Sequence, residues 1–112
     1  MKEMDKIEFY RDSIEFILDV QDGDGSITWE KDAKLDPWDH VESAMALAVA
    51  GEIEGAKKAY EWMQSNQEQV GGWFSEYKSG VASKRRIETN FAAYICVGIW
   101  HFYLITKDKY FL

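Results

Sequence analysis

Apolar side chains recur at helical spacing in four stretches of the chain, and turns that contain glycine or proline separate these stretches. In the first stretch, one helical face carries Ile7, Tyr10, Ile14, Ile17 and Leu18. Asp5 followed three residues later by Glu8 has the form of a capping box. We therefore predict a helix that starts at Asp5 and stops at the turn formed by residues 22–25.

The same pattern predicts three more helices. Asp36 and Pro37 suit an N-cap and a first helical position, so the second helix should run from Asp36 to Gly51, which suits a C-cap. The third is predicted from about Ile53 to Asn66. The fourth begins near Glu88 and is apolar on all sides, so we expect other helices to enclose it.

The two halves of the chain resemble each other. Gln21 and Gly25 in the first turn correspond to Gln67 and Gly71 in the second, at a constant offset of 46 residues. Each copy continues through a loop into a more apolar helix. Such a period is typical of arrays of helical hairpins.

The predicted fold class is accordingly all-α. We expect a single domain over residues 1–112, with repeat one at about 5–51 and repeat two at about 53–106. Four main helices should form two helix-loop-helix repeats, with no sheet. The basic run at 84–86 is assigned to a loop.

Composition removes several classes of partner. The chain carries 20 acids against 13 bases, a net charge of −7, so a nucleic acid is a poor partner. The longest uncharged run, 89–106, is too short for a membrane span. Residues 1–11 contain no apolar signal core, so we predict a cytoplasmic protein. The single cysteine, Cys96, excludes an internal disulfide.

The richest polar cluster lies at the start of the second helix, at residues 36–42. We predict Asp39, His40 and Glu42 as catalytic residues, with Asp36 and Trp38 as substrate-binding neighbours. Positions 39 and 42 share a helical face, and a partly desolvated carboxylate pair beside a histidine can do acid–base work. A solvated, well-capped helix start explains the same residues equally well.

The fourth helix opens in the equivalent place with Glu88 and Asn90, which we add to the substrate-binding set. If the two apolar helices lie side by side and parallel, both polar starts emerge at the same end. The turn residues Trp29, Trp73 and Tyr77 should then lie near the rim of one concave pocket, with Trp73 and Tyr77 also binding substrate.

No metal site and no cofactor is predicted. The sequence at residues 22–27 invites comparison with an EF-hand, in which Gly25 would be the sixth loop position. The first and twelfth positions would then be Val20 and Lys31, where calcium needs acidic oxygen. This excludes a standard EF-hand.

The second turn has a familiar form. Gln67, Gly71 and Trp73, after the aromatic sequence of residues 59–63, resemble the QW motif of squalene cyclases. The order of outer helix, turn and inner helix with an acidic start resembles the α/α toroids of the terpenoid-cyclase and prenyltransferase type. Residues 36–42 and 100–112 are similar to uncharacterised bacterial proteins labelled prenyltransferase repeats.

The resemblance implies a partial toroid that acts on an isoprenoid or glycan substrate at the starts of the inner helices. Neither the cyclase Asp-x-Asp-Asp sequence nor the zinc site of protein prenyltransferases is present, and the related α/α-barrel glycosidases place carboxylates at the same starts. About six hairpins close such a ring, so two imply self-association or the remainder of a longer chain. The alternative is a non-catalytic helical interaction module that docks on another chain.

Overall fold

Helices and short strands alternate along the chain in a computed structural model that describes residues 8–112. The capping box predicted at Asp5 begins outside those residues. The elements in chain order are α1 Arg11–Val20, β1 Lys34–Leu35, α2 Pro37–Val49, α3 Ile53–Asn66, β2 Phe74–Lys78, β3 Val81–Ile87 and α4 Thr89–Thr106. The predicted bounds of the third helix and the predicted N-cap at Asp36 are confirmed.

The all-α prediction is wrong, because three antiparallel strands form a sheet in the order β1–β2–β3. In β1 and β2, Lys34 pairs with Lys78 and Leu35 with Tyr77. The predicted loop at residues 84–86 is part of strand β3, which a tight turn joins to β2. Ser79 and Gly80 both have positive φ, 51° and 78°, the geometry of a tight two-residue hairpin turn.

The terpenoid-cyclase type of toroid is also wrong for this chain, because a sheet takes the place of an all-helical arrangement between α3 and α4. The two turns nevertheless share one hydrogen-bond pattern. The Gln21 side chain donates to the Gly25 carbonyl at 3.1 Å, and the Gln67 side chain donates to the Gly71 carbonyl at 2.8 Å. Both glycines have φ near 95°, at 93° and 95°, which explains glycine at these positions.

Helix α2 is the centre of the core. Its buried side chains include Val41, Ala44 and Leu47, and it packs against both α3 and α4. Near the start of α2, Trp38 stacks on Tyr94 of α4, and further along α2 Val41 lies beside Gly98. Since the contacts advance in the same direction along both helices, α2 and α4 run parallel.

Helix α4 is less enclosed than its composition predicts. Only Ile95, Gly98 and Phe102 are buried along it, whereas one side leaves Val97, Trp100, Leu104 and Ile105 exposed. Among the described residues, no helix combines the length and apolar character that crossing a membrane requires.

Candidate functional site

The start of α2 gathers carboxylates in one place. Asp36 leaves the sheet in an extended conformation and caps the helix by accepting a hydrogen bond from the backbone N–H of Asp39 at 2.9 Å. Its other oxygen accepts from the indole Nε1–H of Trp29 at 2.8 Å. Pro37 occupies the first helical position, where its missing N–H costs nothing. The Asp36 carboxylate is thus held by two donors.

Asp39 lies against this fixed carboxylate. Asp39 is exposed. Partial desolvation of its carboxyl group, then its interaction with Asp36 and the charges of Asp36 and Glu42, raise the pKa of Asp39 to about 6. The indole of Trp29, whose N–H donates to Asp36, opposes this rise in the pKa. Asp39 can therefore hold a proton close to neutral pH, as a general acid must.

Glu42 stands one turn further along α2 and joins the two parallel helices. One of its oxygens, Oε1, accepts from the Trp38 indole at 2.8 Å and from the Tyr94 hydroxyl at 3.3 Å. The rings of Trp38 and Tyr94 are stacked, with centroids 3.9 Å apart and planes within 8°. Tyr94 was not predicted as a site residue; it lies within the first two turns of α4, facing the start of α2.

The start of α2 contacts the first turns of α4. Trp38 contacts Phe91 of α4, with ring centroids 6.4 Å apart. Phe91 and Glu88 line one surface hollow, and Glu88 is paired with Arg86 at 3.8 Å. Asn90 is exposed. Within residues 8–112 no direct hydrogen bond joins Glu88 or Asn90 to the carboxylates of α2, so the structure does not bring these residues into contact with them.

His40 points into the core rather than toward the carboxylates. It is fully buried, its Nδ1 accepts from the Ile27 N–H at 3.1 Å, and its Nε2 lies 2.8 Å from the Ala59 carbonyl. These partners require the neutral tautomer with the proton on Nε2. Burial lowers the pKa of His40 to about 4. The imidazole ties the loop after α1 to α3 and has no nitrogen left for a substrate.

Trp73 and Tyr77 are both buried. The Trp73 indole donates to the Met63 carbonyl at 2.7 Å, which staples the second turn to the end of α3. Tyr77 packs edge-on against Trp62 and accepts a hydrogen bond from the Phe74 N–H at 3.0 Å. It lines a partly open hollow of about 260 Å³, whose wall does not include Asp36, Asp39 or Glu42.

Glu76 is a carboxylate that the sequence analysis did not select. The register of β1 and β2, continued by one residue, sets Asp36 opposite Glu76. Ser83 donates to Glu76 at 3.0 Å, and the ammonium groups of Lys34 and Lys84 lie 3.6 Å and 3.5 Å away. The Ser83 hydrogen bond, followed by the two lysines, lowers the pKa of Glu76. Alternation along β2 could have found this residue, but the segment was assigned to a loop.

No group of three or more histidine, cysteine, aspartate or glutamate side chains is placed to hold a metal ion in the part of the chain that the structure describes. The site consists of carboxylates and aromatic rings, which points to proton transfer and to ligands with apolar faces.

Comparison with known proteins gives one named relative. The chain is 41% identical over 101 residues to "MMP endo-(1,4)-3-O-methyl-alpha-D-mannosidase" of Mycolicibacterium hassiacum. The match covers 90% of this chain but 28% of the relative, so the chain spans less than a third of that protein's length. No protein-family model matches. The resemblance to prenyltransferases and terpenoid cyclases is wrong, since the relative is named as a mannosidase and the chain contains a sheet.

Proposed function

We propose that this chain carries the proton-donating part of a site that hydrolyses a glycan. The observation that supports the proposal most directly is the Asp36–Asp39 pair, in which the pKa of Asp39 is about 6 beside a carboxylate held by two hydrogen-bond donors. The name of the relative adds the substrate class, a chain of 3-O-methylated α-mannose units joined by (1,4) bonds.

The reaction needs one proton donor and one acceptor. Asp39 gives its proton to the glycosidic oxygen while the bond from that oxygen to the anomeric carbon breaks. The oxygen of a water molecule bonds to the anomeric carbon, and the proton that this water loses goes to a second carboxylate. The products are two shorter glycans, and the water supplies the hydrogen and hydroxyl that they gain.

Asp36 is a poor candidate for the second carboxylate. Glycosidases separate their two carboxyl groups by about 5–9.5 Å, and the Asp36 carboxylate already accepts hydrogen bonds from the Trp29 indole and the Asp39 backbone N–H. Glu42 is the better candidate for the base, because it lies one turn further along α2 and makes no hydrogen bond to Asp39. Trp38 and Tyr94 hold its Oε1, and its second oxygen, Oε2, is proposed to accept the proton.

The remaining site residues are proposed to bind or to position. The stacked rings of Trp38 and Tyr94 offer a flat apolar surface to a sugar. Glu88 and Asn90 supply polar groups at the start of α4. His40 acts through the loop that it fixes, not as a proton carrier, and Trp73 and Tyr77 stabilise the second turn and the sheet beneath the site.

Hydrolysis of 3-O-methylated α-(1,4)-mannose oligosaccharides, followed by the release of reducing ends, tests the proposal. Asp39→Asn should lower the rate by about 100-fold or more, because an amide cannot deliver the proton. Asp19→Asn is the matched control, since Asp19 is an exposed aspartate on α1 and the same substitution there should leave the rate unchanged. Circular dichroism should show equal helicity in all three proteins.

Two results would overturn the proposal. One is a wild-type chain that hydrolyses none of these oligosaccharides. The other is an Asp39→Asn variant that is as active as the Asp19→Asn control.

A further inference from the structure

A surface hollow adjoins the indole of Trp29, which donates a hydrogen bond to Asp36. It has a volume of about 430 Å³ and is lined by Trp29, Glu30, Asp32, Lys34, Lys78 and Ser79. Pockets for small molecules in proteins start at roughly 300 Å³, so this hollow is large enough for one sugar unit.

The sheet places this hollow and the carboxylate pair on the same face. Lys34 pairs with Lys78 across β1 and β2, so their side chains point to one side of the sheet. Asp36 lies two residues after Lys34 and shares that side. Trp29 bridges them: the Lys34 ammonium sits 4.0 Å from its ring centroid, and its indole Nε1–H donates to Asp36 at 2.8 Å.

Trp29 is unusual in combining exposure with a fixed position. It remains 52% exposed, although a large aromatic side chain is normally buried where a core is available. The hydrogen bond to Asp36 and the backbone hydrogen bond from its own N–H to the Lys34 carbonyl at 2.9 Å hold it in place. An exposed, immobilised ring next to charged and hydroxyl groups suits a sugar, which has apolar C–H faces and hydroxyls at its edge.

We propose that this hollow binds a second sugar unit of the glycan, adjacent to the unit at Asp39, with Trp29 as its stacking platform. The inference rests on the proposed function for its substrate class. The side chains of Lys34 and Lys78 donate to sugar hydroxyls, and those of Glu30 and Asp32 accept from them. The glycan therefore extends along the outer face of the sheet, with the bond to be broken between the hollow and the helix starts.

Measuring the affinity for oligosaccharides tests this inference independently of hydrolysis. We would measure the affinity of the Asp39→Asn chain for a disaccharide and a tetrasaccharide of 3-O-methylated α-(1,4)-mannose by calorimetry. The tetrasaccharide should bind about tenfold more tightly, and adding Trp29→Ala should remove most of that difference. Phe16→Ala is the matched control, since Phe16 is similarly exposed, 54%, but lies on α1, outside the sheet.

Trp29→Phe distinguishes the stacking from the hydrogen bond. It keeps an aromatic ring but loses the N–H, so tetrasaccharide binding should fall by less than in Trp29→Ala. In the active chain it should also move the high-pH loss of activity to higher pH, because the Trp29 indole opposes the rise in the pKa of Asp39.

Equal affinity of both oligosaccharides for the Asp39→Asn chain would overturn the inference, as would a Trp29→Ala variant that binds the tetrasaccharide as tightly as the Phe16→Ala control. A third outcome is a chain that hydrolyses none of the oligosaccharides but binds the tetrasaccharide more tightly than the disaccharide in a way that requires Trp29. This outcome would support sugar binding in the hollow and contradict the proposed hydrolysis. The two proposals can thus fail separately.

Discussion

The imidazole of His40 lies in the core between the loop after α1 and helix α3, with the Ile27 N–H at Nδ1 and the Ala59 carbonyl at Nε2. Protonation would place a second donor against the Ile27 N–H and a charge in an apolar setting. The unfolded chain accepts that proton at the ordinary pKa of 6.5, whereas the folded chain resists it until about pH 4. Stability linked to His40 is therefore complete above pH 6.5 and is lost as the pH falls toward 4.

Comparing wild type with His40→Gln by urea unfolding tests this linkage. The variant should be less stable near neutral pH, and the gap should narrow by roughly 2–3 kcal/mol at a pH of about 4.5, because only the wild type carries the penalty of a histidine kept neutral. The difference in unfolding free energy between the two proteins is the quantity to compare. The raised pKa of Asp39 stabilises the folded state of both proteins as the pH falls, so this contribution cancels in the difference.

Val41→Ala serves as the control for this pH dependence. It removes buried volume without a titrating group, so its deficit should be the same at both pH values. A gap between wild type and His40→Gln that stays constant from neutral to acid pH would contradict the linkage.

At the scale of elements, the parallel packing of α2 and α4 depends on one small residue. A Cβ at Gly98 would lie 2.6 Å from Val41 Cγ1 and 2.8 Å from the Tyr60 hydroxyl oxygen, closer than such atoms approach. Because Trp38 and Glu42 meet Tyr94 one turn away along the same contact, this packing also fixes the site. A wider separation of the helices would pull the site apart.

Gly98→Ala should therefore destabilise the protein by about 1–3 kcal/mol, as measured by chemical unfolding, because a packed core resists an added methyl group. It should also lower glycan affinity through the shifted Tyr94. Gly23→Ala is the matched control, since a Cβ at Gly23 meets nothing within 4 Å. Equal stability of the two variants would show that the helices separate without cost.

The helices were predictable because their signals are local. The cap at Asp36, the first helical position at Pro37 and the span from Ile53 to Asn66 follow from residue types at fixed spacing. The sheet was missed because the run at 84–86 was interpreted as a solvated loop, although Ser79 and Gly80 form a recognisable hairpin turn. Once that segment was a loop, no pattern could select Glu76.

The site was only partly predictable, since burial depends on tertiary contacts. The sequence placed Asp39, His40 and Glu42 on one stretch of helix but could not show that His40 turns inward. Tyr94 meets Glu42 across 52 residues of chain, a contact that only the parallel packing of α2 and α4 creates. The raised pKa of Asp39 also depends on tertiary structure. It is set partly by Trp29 in the loop before β1 and by Asp36 at the N-cap of α2.

On the scale of the whole molecule, charge and apolar surface are unevenly distributed. The net charge is −7, yet the 18 residues of α4 contain no charged side chain. A hollow on α4 is lined by Met45, Cys96, Trp100, His101 and Leu104 among others. Within it, the Nδ1 of His101 is buried with no hydrogen-bond partner among the described residues. Apolar area of this kind on a small protein is typical of a surface that contacts another chain, a membrane or a ligand.

We predict that this face of α4 joins two copies of the chain. Burying it would remove the exposed area of Trp100 and Leu104 from water and could provide a partner for His101 Nδ1, while the absence of charge on α4 avoids repulsion at the contact.

Light scattering after gel filtration should show a mass that rises with concentration. Leu104→Glu should shift the protein to the monomer, because a carboxylate at the contact would have to lose its water. Val70→Glu introduces the same charge at an exposed apolar residue in the turn after α3 and should leave the mass unchanged. A wild-type chain that remains monomeric at high concentration would contradict this assignment.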